Sequence, residues 1–197
     1  MRRARWRAWL AVAIVGVAGL GCTTLQQLAA LRQVRFDLDG VRDARLAGVD
    51  LARIRSYSDF TPADLIKLTA AVARRDLPFE FTVDVGAENP GENTVTARMI
   101  RLQWALFLQD KETINGVVDQ PVSLPPGSPA VIPVGMRLDL FQFFDGPAQS
   151  MFELARAALG DDADATTIRL TAVPTVDTPL GPIDYPSPIT IARRTVR

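Results

Sequence analysis

Alternation of apolar and polar residues with a period of two dominates the chain. Phe79, Phe81, Val83 and Val85 alternate with Glu80, Thr82 and Asp84, as on a strand with one face in a core and one in water. Ile100, Leu102, Trp104, Leu106 and Leu108 alternate in the same way with Arg101, Gln103, Ala105, Phe107 and Gln109. So do Ile132, Val134, Met136, Leu138 and Leu140, and, near the end, Ile168, Leu170 and Ala172. Weaker strands are expected at Val34–Leu38, Arg45–Leu51, Gly116–Leu124 and Ile189–Val196. Turn chemistry falls between these runs: Asn89-Pro90-Gly91, Asp110-Lys111-Glu112, Pro125-Pro126-Gly127 and Pro179-Leu180-Gly181-Pro182. One-sided alternation with regular turns predicts a mainly β, antiparallel sandwich, because the strands of parallel sheets are buried on both faces and do not alternate so cleanly.

Two stretches change period. Thr61-Pro62-Ala63-Asp64 supplies an N-cap, a proline at the first helical position and an early acid. Leu65, Leu68 and Val72 then follow at helical spacing until Pro78, which predicts a helix over about 62–76. Phe152, Ala155 and Leu159 predict a second helix over about 147–160, opened by Asp145-Gly146-Pro147 and closed by Gly160. Helices at these places would close the open ends of a sandwich.

The first 21 residues follow neither period. Four arginines precede an apolar run from Ala8 to Leu20, the layout of a secretory signal. As a helix that run spans about 20 Å, short of the roughly 30 Å hydrocarbon core, so a spanning anchor is the weaker expectation. Directly after it, between Gly21 and Thr23, stands the only cysteine of the chain, Cys22. This resembles the lipobox of bacterial lipoproteins, in which a cysteine after a small residue is lipidated and becomes the mature N-terminus. The departure from that pattern is Gly19, where a leucine usually stands, with Leu20 one step late. Acyl chains such as palmitate, each contributing about 0.8 kcal/mol per buried CH₂, would hold the protein on a membrane. Thr23 after the cysteine resembles lipoproteins of an outer membrane facing the periplasm. The expected organisation is a signal peptide over 1–21, a lipidated N-terminus and tether (or short helix) over 22–33, and one domain over 34–197.

Composition then narrows the chemistry. The chain has 197 residues with no histidine, which removes the commonest general base and transition-metal ligand. One cysteine excludes an intrachain disulfide and makes a zinc ribbon or iron–sulfur cluster implausible. Removing the four arginines of residues 1–21 from 22 basic residues leaves 18 against 22 acids, a net charge of −4, and nothing marks a nucleic-acid binder. No catalytic residue, metal ligand or cofactor is expected.

The order of features after residue 34 resembles the late embryogenesis abundant type 2 family, the water-stress and hypersensitive-response (WHy) domain. The resemblance rests on the strand running into Asn89-Pro90 and on Ile100–Leu108 following about ten residues later. It rests also on the Pro-Pro-Gly turn before Ala130–Leu140 and on the closing Thr178-Pro179-Leu180-Gly181-Pro182-Ile183-Asp184-Tyr185-Pro186. It covers about Val34 to Arg194. It implies a single immunoglobulin-like or fibronectin-III-like β-sandwich, here with two added helices, and a non-enzymatic role in desiccation, cold or osmotic stress. The partners it implies are membranes, met through the lipid anchor, and lipids or unfolding proteins. A carrier of lipid or another apolar ligand, using a groove between sandwich and helices, is the alternative, as is a scaffold for an envelope complex.

The remaining constellations are weaker. Asp161-Asp162-Ala163-Asp164 lacks the distal glutamate of a calcium loop and reads as a solvated loop. Asp37 and Asp39 share a strand face, and Glu88 and Glu92 flank the Asn-Pro turn; both pairs read as surface acids. Lys67 and Lys111, the only lysines, leave Ser-Lys chemistry thin. Arg193, Arg194 and Arg197 form a basic tail whose default is a solvated terminus. Trp104 and the cluster Phe141, Phe143 and Phe144 are expected to pack in the core.

Overall fold

A computed structural model describes residues 33–108, 110–143, 147–159, 167–178 and 181–195. The described chain is a mainly β, antiparallel sandwich with two short helices. Its strands are β1 (Arg35–Leu46), β2 (Val49–Asp50), β3 (Pro78–Glu88), β4 (Ala97–Leu108), β5 (Lys111–Val118), β6 (Val122–Leu124), β7 (Pro129–Asp139), β8 (Thr167–Val176), β9 (Ile183–Asp184) and β10 (Ile189–Thr195). Helix α1 spans Pro62–Arg74 and α2 spans Ala148–Ala158. One sheet has the order β2-β1-β3-β7; the other has β10-β8-β4-β5, with β6 paired to β4 and β9 to β8.

The period-two stretches build the core. Phe79, Phe81, Val83 and Val85 of β3 and Ile132, Val134, Met136 and Leu138 of β7 are all buried. They face Leu102, Trp104 and Leu106 of β4 and Leu170 and Ala172 of β8 across the sandwich. The pairing of β3 with β7 runs from Pro78↔Asp139 to Glu88↔Pro129 without a register shift. Beside Trp104 the pairing partner is Gly116, where a Cβ would stand 2.6 Å from the indole ring. The missing side chain is what lets the ring lie flat against β5.

Five sequence expectations shift in detail. Ile100 is only half-buried, because the register of β4 against β8 slips between Met99 and Arg101. The extra residue moves the inward phase from Met99 to Leu102, both fully buried. Arg45–Leu51 is not one strand: Ala47 (φ 48°) and Gly48 (φ 76°) turn β1 back into β2. Two consecutive positive φ values are the signature of a tight type I′ hairpin. Gly116–Leu124 divides into β5 and β6, and Lys111 and Glu112 begin β5 rather than forming the turn. The first helix stops at Arg74, where Arg75 takes a left-handed conformation (φ 54°) and Asp76 N–H donates to Ala71 O at 3.1 Å.

The strands at the sheet margins are irregular. β1 carries register shifts between Leu38 and Gly40 and between Arg42 and Arg45. β10 carries one between Thr190 and Ala192, and β5 one at Thr113, opposite the step from Leu106 to Phe107. β7 instead carries two prolines, Pro129 and Pro133.

The sandwich has two unlike ends. Leu46, Phe79 and Leu138 mark one, and Arg35, Glu88 and Pro129 the other. Both helices join the first. Thr61 Oγ1 accepts the N–H of Asp64 while the Asp64 carboxylate accepts the N–H of Thr61, so α1 opens with a capping box. It buries Leu68 and Ala71, and α2 buries Met151, Phe152 and Ala155. The rings of Tyr57, Phe60 and Phe152 meet edge to face, with Phe60 and Phe152 centroids 5.0 Å apart. The expected helices are therefore present, and an aromatic seam fills the space beside them. Among the described residues no helix is long and apolar enough to cross a membrane.

Candidate functional site

The most elaborate polar arrangement lies at the end away from the helices, on the residues that carried the sequence resemblance. Asn89 follows the last residue of β3 and is fully buried. Its Nδ2 donates to Val95 O at 3.1 Å and to Leu124 O at 2.7 Å. Its Oδ1 accepts from Asn93 Nδ2 at 2.5 Å, and its main-chain carbonyl accepts from Gly127 N–H at 2.7 Å. Val95 leads into β4 and Leu124 belongs to β6, so one side chain ties the first sheet to the second. Pro90 O accepts Asn93 N–H at 3.1 Å, which turns the chain so that Asn93 can face Asn89.

The Pro-Pro-Gly turn completes this end. Ser128 N–H donates to Pro125 O at 3.2 Å, and Gly127 has φ 70°, the positive value that a type II turn demands at its third position. Nearby, Asp177 N–H donates to Arg98 O, and Thr178 Oγ1 donates to Gly181 O at 2.6 Å. Pro179 and Leu180 lie outside the described residues.

At the helix end one carboxylate does comparable work. Asp139 Oδ1 accepts the N–H of Leu77 at 2.9 Å and of Phe141 at 3.1 Å, fixing the chain before β3 to the end of β7. Two further acids there complete capping boxes, Asp59 on the short 3₁₀ turn Tyr57–Asp59 and Asp64 on α1. Asp59 is held below its usual pKa by the N–H groups of Ser56 and Arg55, and Asp64 is held below its own by the Thr61 hydroxyl.

The outer faces of the two sheets differ in charge. On the β1–β3–β7 face Arg42 binds Asp84 at 2.7 Å and Asp43 at 2.5 Å, and Arg137 binds Glu80 at 2.5 Å. The Asp84 hydrogen bond and charge raise the Arg42 pKa further. Asp84 Oδ1 is buried without a hydrogen-bond partner. On the β5–β4–β8–β10 face the ion pairs stand at the two margins. Arg101 binds Asp119 at 2.5 Å at one; at the other, Arg169 lies 3.5 Å from Asp110 and 4.0 Å from the centre of the Phe107 ring. Between them come two uncharged rows, Val117–Gln103–Val173 and Asn115–Ala105–Thr171–Thr190.

The residues singled out in the sequence are dispersed. Cys22 and the signal at 1–21 lie outside the described residues, as do Phe144, Gly160, Asp161–Asp164 and Arg197. Asp37, Asp39, Glu88, Glu92, Lys67 and Lys111 are exposed. Trp104 is a core residue, and Phe141 and Phe143 are half-buried against the core, with the Arg75 guanidinium 5.5 Å from the Phe141 ring centre. Arg193 and Arg194 lie in β10. Among the described residues no group of three or more acids, cysteines or histidines could hold a metal ion. Asn93, in a turn, and Asp139, the last residue of β7, carry no sequence signal that separates them from other surface polar residues.

A comparison with family profiles and one with curated sequences each find no match. Among solved structures, a protein from Archaeoglobus fulgidus is 15% identical, with 82% of this chain and 98% of that one covered at a TM-score of 0.38. A proposed late embryogenesis abundant protein is 14% identical, with 94% and 86% covered at 0.36. A protein from Arabidopsis thaliana is 19% identical, with 61% and 72% covered at 0.36.

Proposed function

We propose that this is an exported, lipid-anchored, non-enzymatic β-sandwich that protects membranes or unfolding proteins when water becomes scarce. The observation that carries the reading is the use made of the polar side chains that tie the chain together at the two ends. Asn89 is spent on the carbonyls of Val95 and Leu124 and on Asn93, and Asp139 on the N–H groups of Leu77 and Phe141. Groups so committed hold loops in place, which is a structural use of polar side chains. The absence of histidine from the sequence supports the same conclusion. The anchor rests on the arginine-led apolar segment and on Cys22 directly after it.

Two measurements test the two halves separately. The protein purified from membranes of its native host should carry an N-terminus beginning at Cys22, with a mass increment of two or three acyl chains; an unmodified thiol there refutes the anchor. The chain from Cys22 onward should preserve the activity of a labile enzyme through drying and rehydration better than an equal mass of serum albumin. Equal performance refutes protection.

A further inference from the structure

The chain enters the sandwich at one end, and its last strand finishes at the other. Arg35, the first residue of β1, pairs with Glu88 at the Asn89 end, and β1 then runs to Leu46, beside Phe79 at the helix end. β10 finishes at Thr195, beside Thr167 at the helix end, and carries Arg193 and Arg194 there with it. An attachment ahead of Arg35 therefore pulls on the Asn89 end alone.

Lengths decide how far that pull constrains the molecule. Residues 22–34, drawn taut, reach at most about 43–47 Å. The 11 residues of β3 cover about 37 Å of height, and a helix beyond them adds about 10 Å. To set the helix end on a bilayer, the segment after a lipidated Cys22 would have to run the whole height of the molecule without slack. Every residue in it would give up its conformational freedom. With the Asn89 end down, that freedom is kept.

The Asn89 end also suits a headgroup layer. Its exposed turn positions are Gly91, Glu92, Thr94, Pro125, Gly127 and Pro129, with one charge and no large apolar side chain to enter the hydrocarbon. Among the described residues, the exposed large hydrophobics Ile66, Val117 and Val131 stand on three different elements. No apolar patch among them draws a sheet face onto the lipid instead. We propose that the lipid anchor seats the Asn89 end of the sandwich on the bilayer headgroups and carries the helix end about 45 Å into the aqueous compartment. This rests on the anchor proposed above, adds its orientation, and is independent of the protective role.

The single cysteine makes the test clean, because a Cys22 whose sulfur carries lipid takes no maleimide. The full chain, processed in its host and reconstituted into phosphatidylcholine vesicles containing a rhodamine-labelled lipid, is compared as Glu92→Cys and Ala73→Cys, both exposed positions. Each variant carries a fluorescent maleimide as energy donor. Transfer to the bilayer should be at least twofold more efficient from Glu92→Cys than from Ala73→Cys. Equal transfer, the sign of a molecule lying on a sheet face, or greater transfer from Ala73→Cys overturns the orientation while leaving the anchor in place. A wild type that takes the label, or that does not float with the vesicles, overturns the anchor and the orientation with it. Replacing roughly a third of the lipid by phosphatidylglycerol should leave the ratio unchanged; a preference seen only on the anionic surface overturns the tether as its cause. Should either variant melt early by circular dichroism, Thr94→Cys and Thr69→Cys, also exposed at the same two ends, replace the pair with the same expected and refuting results.

Discussion

The two ends of the sandwich are closed by opposite means. At one, the side chain of Asn89, at the end of the first sheet, satisfies carbonyls of Val95 and Leu124 beside the second and is itself held by Asn93, in a buried polar knot. At the other, Tyr57, Phe60 and Phe152 fill the space under the helices with rings. A polar knot is specific in chemistry, because every donor and acceptor must match. An aromatic seam is specific in volume, because dispersion and burial ask only that space be filled. The difference teaches which substitutions each end tolerates.

An isosteric change should break the knot. Asn89→Asp keeps the shape but turns oxygens toward Val95 O and Leu124 O, and the expected loss in urea unfolding is about 5 kcal/mol, or failure to fold. The same conservation of volume should spare the seam: Phe152→Leu costs about 1 kcal/mol, whereas Phe152→Ala, which empties it, costs about 3–4 kcal/mol. If Asn89→Asp proved milder than Phe152→Leu, the contrast would be wrong. Midway between the ends, Gly116→Ala drives a methyl into the Trp104 ring. It is expected to cost about 1–3 kcal/mol and to shift the emission of Trp104. The smallest effects belong to the helix starts, where Thr61→Ala should cost about 1 kcal/mol.

Acid provides a further way to sharpen the comparison. Asp59 and Asp64 have lowered pKa values in the folded chain. The stability they lend is therefore complete above their unfolded pKa of about 4 and is lost as pH falls through the lower folded values. Between pH 4 and pH 2 an Asp64→Asn variant should show a flatter fall of unfolding free energy than the wild type. The Asn89 knot, having no titrating group, should lend that fall nothing; an Asn89→Ser variant that flattened it as much would contradict the division between the ends.

What could be read from the sequence follows the same physics. β3 and β7 were legible because their pairing is uninterrupted and one face is wet, so burial alternates along the whole length. α1 was legible because Thr61, Pro62 and Asp64 signal its start locally. β1 and β4 were blurred where an extra residue flips the phase, since a bulge is set by the partner strand and leaves no mark in its own sequence. The Ala47–Gly48 turn was hidden because alanine rarely takes positive φ. Asn89 stands out in the sequence by the proline after it. Its partners, Asn93 four residues on and Leu124 thirty-five residues on, are fixed only by the fold.

The irregular margins have a consequence wherever the protein is concentrated. As water leaves, every solute is concentrated, and straight, unpaired strands become templates on which identical chains stack into fibrils. Here the bulges in β1, β5 and β10 bend the backbone away from a flat template, and Pro129 and Pro133 leave β7 without an N–H at two positions. These margins work against edge-to-edge stacking of identical chains.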